Sequence, residues 1–524
     1  MRHRLAAVAL FVLALAPSTW LAWRWRAMPQ LGLHQDDALY LVGAKSLAEG
    51  QGYRIESLPG TPFQTKYPPL LSLLMAPVWK FGPSFPENLK PAMLLVWLML
   101  PACVLALRAL FRQFGFRPRE AWLLTFAAAW HPMFGLLSTA IMSDLLFLAL
   151  FAGSLLLAER ATGPRMAFAA GVVGGLAYLT RTAALPLVIT APLCFAYRRR
   201  LKDGFYFLAG MVPALGAWQA WSVAHMLRTS DPALLYYTNY FAMQRATVRL
   251  DNLAQVFWYN GDALLRSFGK LLTFDVVLLE NVHVERILGA AAIAGAVRLV
   301  NRSGRMQYPA AAAGIAALLL VYFYPSDERI CLPLFPLILM GFWTEVANYC
   351  GALRRAWGRP FAERVLAAAG AAGLAGVAVF IAAGYVFGYA VFLPKLYRAC
   401  ARDLQSRYPA YEWIRTRTAP DATLYAYDDP LLYLYTGRRA MGMTMPSGRI
   451  YSGRGASETD NFVRNVPRNA REHRLNYLFV TANDFYREAR AGRLGDAVAR
   501  DSSWRREFTA ERAAVYGMAR AEAY

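Results

Sequence analysis

Between residues 5 and 393 the sequence returns repeatedly to runs of about 20 mostly apolar residues, the length a helix needs to cross the hydrocarbon core of a bilayer. Such runs lie near 5–23, 91–111, 121–139, 141–158, 166–180, 182–197, 204–225, 286–300, 308–324, 329–347 and 364–393, so about eleven spans are expected. Lipid offers no partner to a backbone N–H or C=O, which leaves helices or closed barrels, and runs of this length are helical. The runs at 166–180 and 286–300 are short for the task. The stretch 226–285 carries Arg266, Lys270, Asp275 and Glu280 and reads as a loop with interfacial helices; a further pair of spans is the alternative. Only 17% of the residues are charged and 57% are hydrophobic, whereas an ordinary soluble domain is about a quarter charged. Disorder is excluded by the same abundance of aliphatic and aromatic residues.

The 56 Lys/Arg exceed the 34 Asp/Glu by 22, and residues 395–524, with 22 and 15, account for 7 of that surplus. The other 15 lie on the apolar part, in short loops: Arg108, Arg112, Arg117 and Arg119; Arg160 and Arg165; Arg198, Arg199, Arg200 and Lys202; Arg298, Arg302 and Arg305; Arg354, Arg355 and Arg359. Cytoplasmic loops retain Lys/Arg, and a chain of alternating spans that begins inside puts every one of these loops inside. An odd number of spans then leaves the C-terminus outside. A nucleic-acid footprint would gather basic and aromatic residues on one folded surface, so nucleic acid is not expected as a partner. The start, Met1-Arg2-His3-Arg4 followed by apolar residues to Trp23, could be a signal peptide cleaved after Ala14-Leu15-Ala16. Pro17 directly after that box, and the apolar run beyond it, favour an uncleaved first span. The five cysteines are scattered, without C-x-x-C spacing, and imply neither zinc nor a disulfide framework.

The segment 24–90 is a long aromatic loop whose stretches 36–49 and 68–81 suit interfacial amphipathic helices. After Pro394 the composition turns polar. Strand-like runs at 423–427, 477–481 and 513–518 alternate with helical patterns such as 483–490, which implies a small α/β domain. The expected organisation is a polytopic α-helical membrane domain over 1–393 and an extracytoplasmic α/β domain over 394–524. No internal repeat is visible, which counts against the common transporter folds.

Charged residues at unexpected depth carry the chemistry. His34-Gln35-Asp36-Asp37 follows the outer end of the first span; one reading has Asp36 capping the next helix with Asp37 in its first turn. Asp144 opens the fourth span, Arg181 lies in an outer turn, and Asp327-Glu328-Arg329 opens the tenth span, all on the same outer face. Acids and arginines there need a partner or a ligand. The structural alternative pairs each arginine with an acid such as Asp327 or Glu328. Lys66 sits in Thr65-Lys66-Tyr67-Pro68-Pro69-Leu70, where the prolines hold it just before a helix start. Lysine offers phosphate a point charge and arginine a planar fork. Acids beside such cations suit a reaction between a phosphate-linked lipid and a hydroxyl or amine.

The acidic pair in the first outer loop, "TKYPPL", "SDLLF", "GLAYLTR" and "SDERICLPLFPLI", in this order along the spans, resemble the GT-C superfamily of lipid-linked-sugar glycosyltransferases, nearest its protein O-mannosyltransferase-like and aminoarabinose transferase-like groups. The likeness extends to "DDPLLYLYTGRRAMGM" at 428–443. It implies Asp36 as catalytic base or acceptor anchor, Asp37 as the second acidic position, and Lys66, Arg181 and Arg329 as contacts of the donor phosphate. Here Thr65 and Tyr67 depart from the family's Glu-Lys-Pro pattern. His34, Asp144, Asp327 and Glu328 are further site candidates. Some members use a divalent metal at the first-loop acids and others none; a metal here would fall to Asp36 and Asp37, and no further ligand set decides the matter.

The expected function is therefore a membrane glycosyltransferase that moves a monosaccharide, with inversion, from a polyprenyl-phosphate donor to a glycan, lipid or protein acceptor on the outer face of a bacterial inner membrane. Its rivals are a transporter or flippase of an anionic lipid-linked substrate, in which the same cations would bind, and a non-catalytic assembly protein indifferent to Asp36.

Overall fold

The computed structural model describes residues 2–274, 281–357, 360–445, 447–452, 455–485 and 493–519. Helix α1 (Arg2–Arg24) is followed by two short helices in the first loop, α2 (Asp36–Ala48) and α3 (Leu70–Phe81). A bundle then accumulates from α4 (Leu89–Gln113), α5 (Pro118–Ala129), α6 (Pro132–Leu137), α7 (Asp144–Arg160), α8 (Pro164–Thr180), α9 (Leu187–Tyr197) and α10 (Leu201–His225). A second loop carries α11 (Pro232–Thr238), α12 (Tyr240–Thr247) and α13 (Leu253–Thr273). The bundle closes with α14 (Val282–Ser303), α15 (Gln307–Leu320), α16 (Phe335–Ala356) and α17 (Phe361–Phe387), and α18 (Leu393–Arg417) leads out of it.

Every apolar run forms a helix, but not every run is one clean rod. By length and apolar composition alone, three helices among the described residues suffice to cross a membrane: 4–24, 89–113 and the continuous 361–417. The run at 121–139 breaks after Ala129 because Pro132 cannot continue the ladder, and His131 instead caps α6 by accepting the Met133 N–H at 3.1 Å. The run at 182–197 begins with a 3₁₀ turn over Thr182–Ala184, and 329–347 starts its helix six residues late, beyond a turn at 327–331 and Pro333. Exposed Val8, Val12, Trp23, Leu94, Leu105, Val223, Leu366 and Val379 face outward from the helices, the reverse of a soluble surface. Small residues bring neighbours close, as in a lipid environment where hydrophobicity does not drive helices together: Gly171 lies against the Phe207 carbonyl and Gly210 against that of Phe168, where α8 crosses α10.

The bundle has two unlike ends. At one, Arg198 pairs with Glu159, Glu159 accepts the Gln307 N–H at 3.0 Å, Arg200 donates to the Ala161 carbonyl at 2.6 Å, and Arg298 pairs with Glu345 at 2.7 Å. This basic end collects the cationic loops at 160–165, 198–202, 298–305 and 354–355; Arg359 lies outside the described residues. The loop end carries 25–88, 226–252, 321–331 and the C-terminal domain, tied together by Gln30 to the Thr139 carbonyl (2.6 Å) and Thr65 to the Thr238 carbonyl (2.7 Å). Helix α13 lies across this end. Its Asn260 donates to the carbonyls of Leu319, Leu320 and Tyr322, Ser267 donates to Ser326, and Thr273 touches Gly384. It therefore meets the loop-end termini of α15 and α17 and also packs on α14, where Gly269 lies against the Glu285 carbonyl and Gly289 against that of Leu265; Asp275 and Glu280 lie outside the described residues.

The boundary expected at 393/394 falls inside a continuous helix. A π-helical turn over Gly388–Phe392 precedes Pro394, which sits in the first turn of α18 where its missing N–H does no harm. Beyond it, β1 (Thr423–Ala426), α19 (Asp429–Thr436), β2 (Arg439–Gly442), α20 (Gly455–Glu472), β3 (Tyr477–Thr481), α21 (Arg493–Ala499), β4 (Trp504–Thr509) and β5 (Ala513–Met518) form a five-stranded sheet in the order β2-β1-β3-β5-β4. β1 is parallel to β2 and β3, and β5 is antiparallel to β3 and β4. Strands β2 and β4 carry the exposed arginines Arg439, Arg505 and Arg506, which hide them from a reading by apolar runs. Of the helical pattern at 483–490, residues 486–490 lie outside the described residues. The domain rests on the first loop: the Ala440 N–H donates to the Ser57 carbonyl at 2.8 Å and Tyr433 donates to Glu56 at 3.0 Å.

Candidate active site

The two acids of the first loop part ways. Asp37 is buried and accepts the N–H groups of Gly32 at 3.1 Å and Ala38 at 2.8 Å, so it closes the turn that leads into α2. Capping was one reading of Asp36, but Asp37 makes these backbone bonds and α2 has no side-chain cap at Gln35. Burial pushes the Asp37 carboxyl up to about 7, against the pull of those two N–H groups. Asp36 is left to project into the site, where Oδ1 accepts the Tyr67 hydroxyl at 2.6 Å and Oδ2 accepts Arg329 at 3.0 Å. Burial acts to raise its pKa, yet the Arg329 and Lys66 charges and the Tyr67 bond together hold it below the usual carboxylate range.

Arg329 is aimed by its own turn, in which Asp327 accepts the Ile330 N–H at 2.8 Å. Glu328 turns away, 3.5 Å from Lys270 of α13. Neither acid next to Arg329 in sequence forms an ion pair with it; the partner is Asp36, 293 positions away. Arg181, extended at the end of α8, pairs with Asp144 at the start of α7 at 2.5 Å. The other Asp144 oxygen is buried without a hydrogen-bond partner among the described residues. The fields of Arg181 and Arg329 act on each other, so the two pairs belong to one cluster. His34 lies in the turn before α2, where its carbonyl accepts the Asp36 N–H at 2.5 Å.

Lys66 completes the cluster. Gln64 accepts the backbone N–H groups of Lys66 and Tyr67 at 2.9 and 3.1 Å, and the Thr65 hydroxyl anchors the strap to α11. The ammonium is buried over the ring of Tyr236 at 3.7 Å, with Tyr67 at 4.9 Å and Tyr240 at 5.0 Å. Among the described residues it has no ion-pair partner within 4.0 Å, since Asp36 acts on it only through its field. Burial pushes it down to about 8; Asp36 acts upward and Arg329 downward. The tyrosines of this cage were not among the candidates read from sequence. Their signal was Tyr236-Tyr237-x-x-Tyr240, a tyrosine cluster in a polar loop, and Tyr67, which stood out only as a departure from a pattern.

Three cations, Lys66, Arg181 and Arg329, thus face two carboxylates, Asp36 and Asp144, in a largely buried space at the loop end. The arrangement carries one positive charge more than it neutralises and suits an anion with several oxygens. It does not suit a divalent cation. Asp36 and Asp37 are turned to different partners, no third His, Cys, Asp or Glu joins them in a ligand group among the described residues, and Asp36 already gives one oxygen to Tyr67 and the other to Arg329.

No protein-family model matches the chain, and neither does any curated protein. Solved structures do. The crystal structure of ArnT from Cupriavidus metallidurans in the apo state aligns over 98% of this chain and 98% of its own at 15% identity, with a TM-score of 0.53. The same protein bound to undecaprenyl phosphate aligns over 96% and 97% at 14% identity, TM-score 0.52. The archaeal oligosaccharyltransferase AglB from Archaeoglobus fulgidus, in complex with an inhibitory peptide and a dolichol-phosphate, aligns over 98% of this chain and 74% of its own at 13% identity, TM-score 0.51. The chain has the GT-C fold. Within this fold the first-loop acids, the cations and the tyrosine cage all lie at one end of the bundle, beneath the α/β domain.

Proposed function

We propose that this protein is a glycosyltransferase that moves a monosaccharide from a polyprenyl-phosphate donor to an acceptor on the outer face of a bacterial inner membrane, with inversion. The observation that carries the reading is the buried cluster of Lys66, Arg181 and Arg329 around Asp36 at the loop end of the bundle. Two of the similar structures hold a polyprenyl phosphate, undecaprenyl phosphate in ArnT and a dolichol-phosphate in AglB, which supports the lipid class of the donor.

In the proposed reaction the acceptor oxygen or nitrogen attacks the anomeric carbon, the bond from that carbon to the phosphate oxygen breaks, and polyprenyl phosphate leaves with the electron pair. The acceptor's proton passes to Asp36. With Arg329 bound to it, Asp36 is ionised but weakly basic. A donor phosphate that draws Arg329 to itself would return Asp36 toward ordinary basicity at the moment it is needed. Lys66 and the two arginines hold the charge that develops on the leaving phosphate.

Lipid mass spectrometry of cells with and without the protein tests the reading. A polyprenyl-phosphate sugar should accumulate in its absence, and purified protein should consume that lipid and release polyprenyl phosphate. Movement of the intact lipid across vesicles without loss of its sugar would favour the transport reading instead.

A further inference from the structure

The α/β domain reaches the Lys66 cage through one buried network. Asp429, the first residue of α19, is completely buried, as is Tyr237 of α11. The Tyr237 hydroxyl donates to Asp429 Oδ1 at 2.5 Å, and Gln35 Nε2 donates to the Tyr237 oxygen at 2.8 Å and to Asp429 Oδ1 at 3.2 Å. Two of these residues adjoin the site in sequence: Gln35 precedes Asp36, and Tyr237 follows Tyr236, whose ring lies under the Lys66 ammonium at 3.7 Å. Helix α11 has seven residues, too few to hold its own shape, so its rotation is fixed by what it touches. Those contacts include Asp429 and Thr65, next to Lys66, and the α/β domain's core, into which Ala233 is packed. Gly442, at the end of β2, leaves room for the pair; a Cβ there would collide with the Tyr237 oxygen and stand 2.8 Å from Asp429 Oδ1.

We propose that Asp429 is a positioning residue: from the α/β domain it fixes Tyr237, and through α11 it sets the ring of Tyr236 against Lys66. The domain is then part of the site's construction. Its consequence for the donor rests on the reading of Lys66 as a phosphate contact; the positioning itself does not.

The test uses the full-length protein in detergent and measures acetylation of Lys66 by acetic anhydride as a function of pH, read by mass spectrometry of the peptide that contains it. The groups facing the amine are Asp36, Arg329 and the three tyrosines, and none of them is changed. Three variants loosen the link from different sides: Asp429→Asn, Tyr237→Phe and Gly442→Ala. Expected is a labelling midpoint near 8 in the unaltered protein that rises by about one pH unit or more in each variant, because water entering a loosened cage lowers the cost of the charge. Affinity for undecaprenyl phosphate should fall about tenfold with it. Arg471→Ala, which breaks the ion pair with Asp501 elsewhere in the domain, should lower the melting temperature and leave the midpoint in place. An unchanged midpoint in folded Tyr237→Phe and Gly442→Ala overturns the proposal. A midpoint that shifts in a protein with no affinity for undecaprenyl phosphate upholds the positioning and removes the phosphate reading.

Discussion

Asp36 is held by Tyr67 and Arg329, so its replacement tests a network as well as a proton acceptor. Asp36→Asn keeps size and most hydrogen bonding while removing the base; turnover should fall by about 10²-fold or more. Donor binding should survive, because Arg329 is released rather than lost, and retained turnover in the purified variant would return Asp36 to a structural role. The cations divide by what they leave behind. Neutral replacement of Lys66, Arg181 or Arg329 removes a charge-assisted contact of about 1.5–3 kcal/mol and should weaken donor binding roughly tenfold to a hundredfold. Arg181→Gln and Arg329→Gln also strand Asp144 and Asp36, so their melting temperatures should fall, and Arg→Lys should rescue only in part because a point charge cannot replace a fork. Lys66→Met strands no acid. The buried amine titrates near 8 against an ordinary 10.5, so between those values the unfolded chain binds the extra proton and stability rises with pH; below 8 the full cost of the buried charge is present. Lys66→Met should therefore lose donor affinity while melting no lower than the parent at pH 7. For the same reason donor affinity in the parent should decline as pH rises past about 8, with a midpoint shifted upward by the bound phosphate, and that alkaline limb should vanish in Lys66→Met. Unchanged affinity in all three neutral variants would remove the clamp. At this scale the sequence announced which charged residues the fold would gather, since charges at such depth need partners, but not who pairs with whom: the neighbours Asp327 and Glu328 look like the partners of Arg329, and a turn directs both elsewhere.

Among the elements, apolar length foretold where helices lie and missed where they break. The breaks at 130–131 and 182–184 come from local backbone chemistry, a proline and a 3₁₀ turn, which a window of average hydropathy cannot register. Interhelical approach is set by glycines in the same hidden way. Where α8 crosses α10, a Cβ at Gly210 would stand 2.8 Å from the Val172 nitrogen and collide with the Phe168 carbonyl, backbone atoms that cannot rotate aside, whereas a Cβ at Gly216 in the same helix meets nothing within 4 Å. Gly210→Ala should therefore lower thermal stability by about 1–3 kcal/mol or force the helices apart, and Gly216→Ala should be neutral or slightly stabilising through helix propensity. Melting of the two variants in the same detergent separates packing from propensity. Equal melting temperatures would mean that α8 and α10 do not meet as closely as Gly171 and Gly210 indicate.

For the molecule as a whole, orientation follows from charge rather than from packing. Four cationic loops meet at one end of the bundle, where Glu159 gathers Arg198 and the backbone of the next loop, while the acid–cation cluster and the α/β domain share the other. The fold is the same whichever end faces the cytoplasm, so only the positive-inside bias assigns a side, and it places the 198–202 loop inside. The site end breaks that bias with Lys66, Arg181 and Arg329, which is intelligible if each is retained for a ligand and not for topology. A reporter fused after Tyr524 should then read outside and one inserted in the 198–202 loop inside. The stretch that most endangers this expectation is 226–285. If α13 crossed the bilayer the parity of spans would change, and the two reporters would read the same side; the contacts of Asn260, Ser267 and Thr273 with the loop-end termini of other helices argue that it does not. A third reporter inserted between α13 and α14 gives the deciding measurement. With α13 lying flat it reads outside, together with Tyr524 and opposite to the 198–202 loop; an inside reading there would place α13 through the membrane and put Arg329 on the face opposite Asp36, against their ion pair.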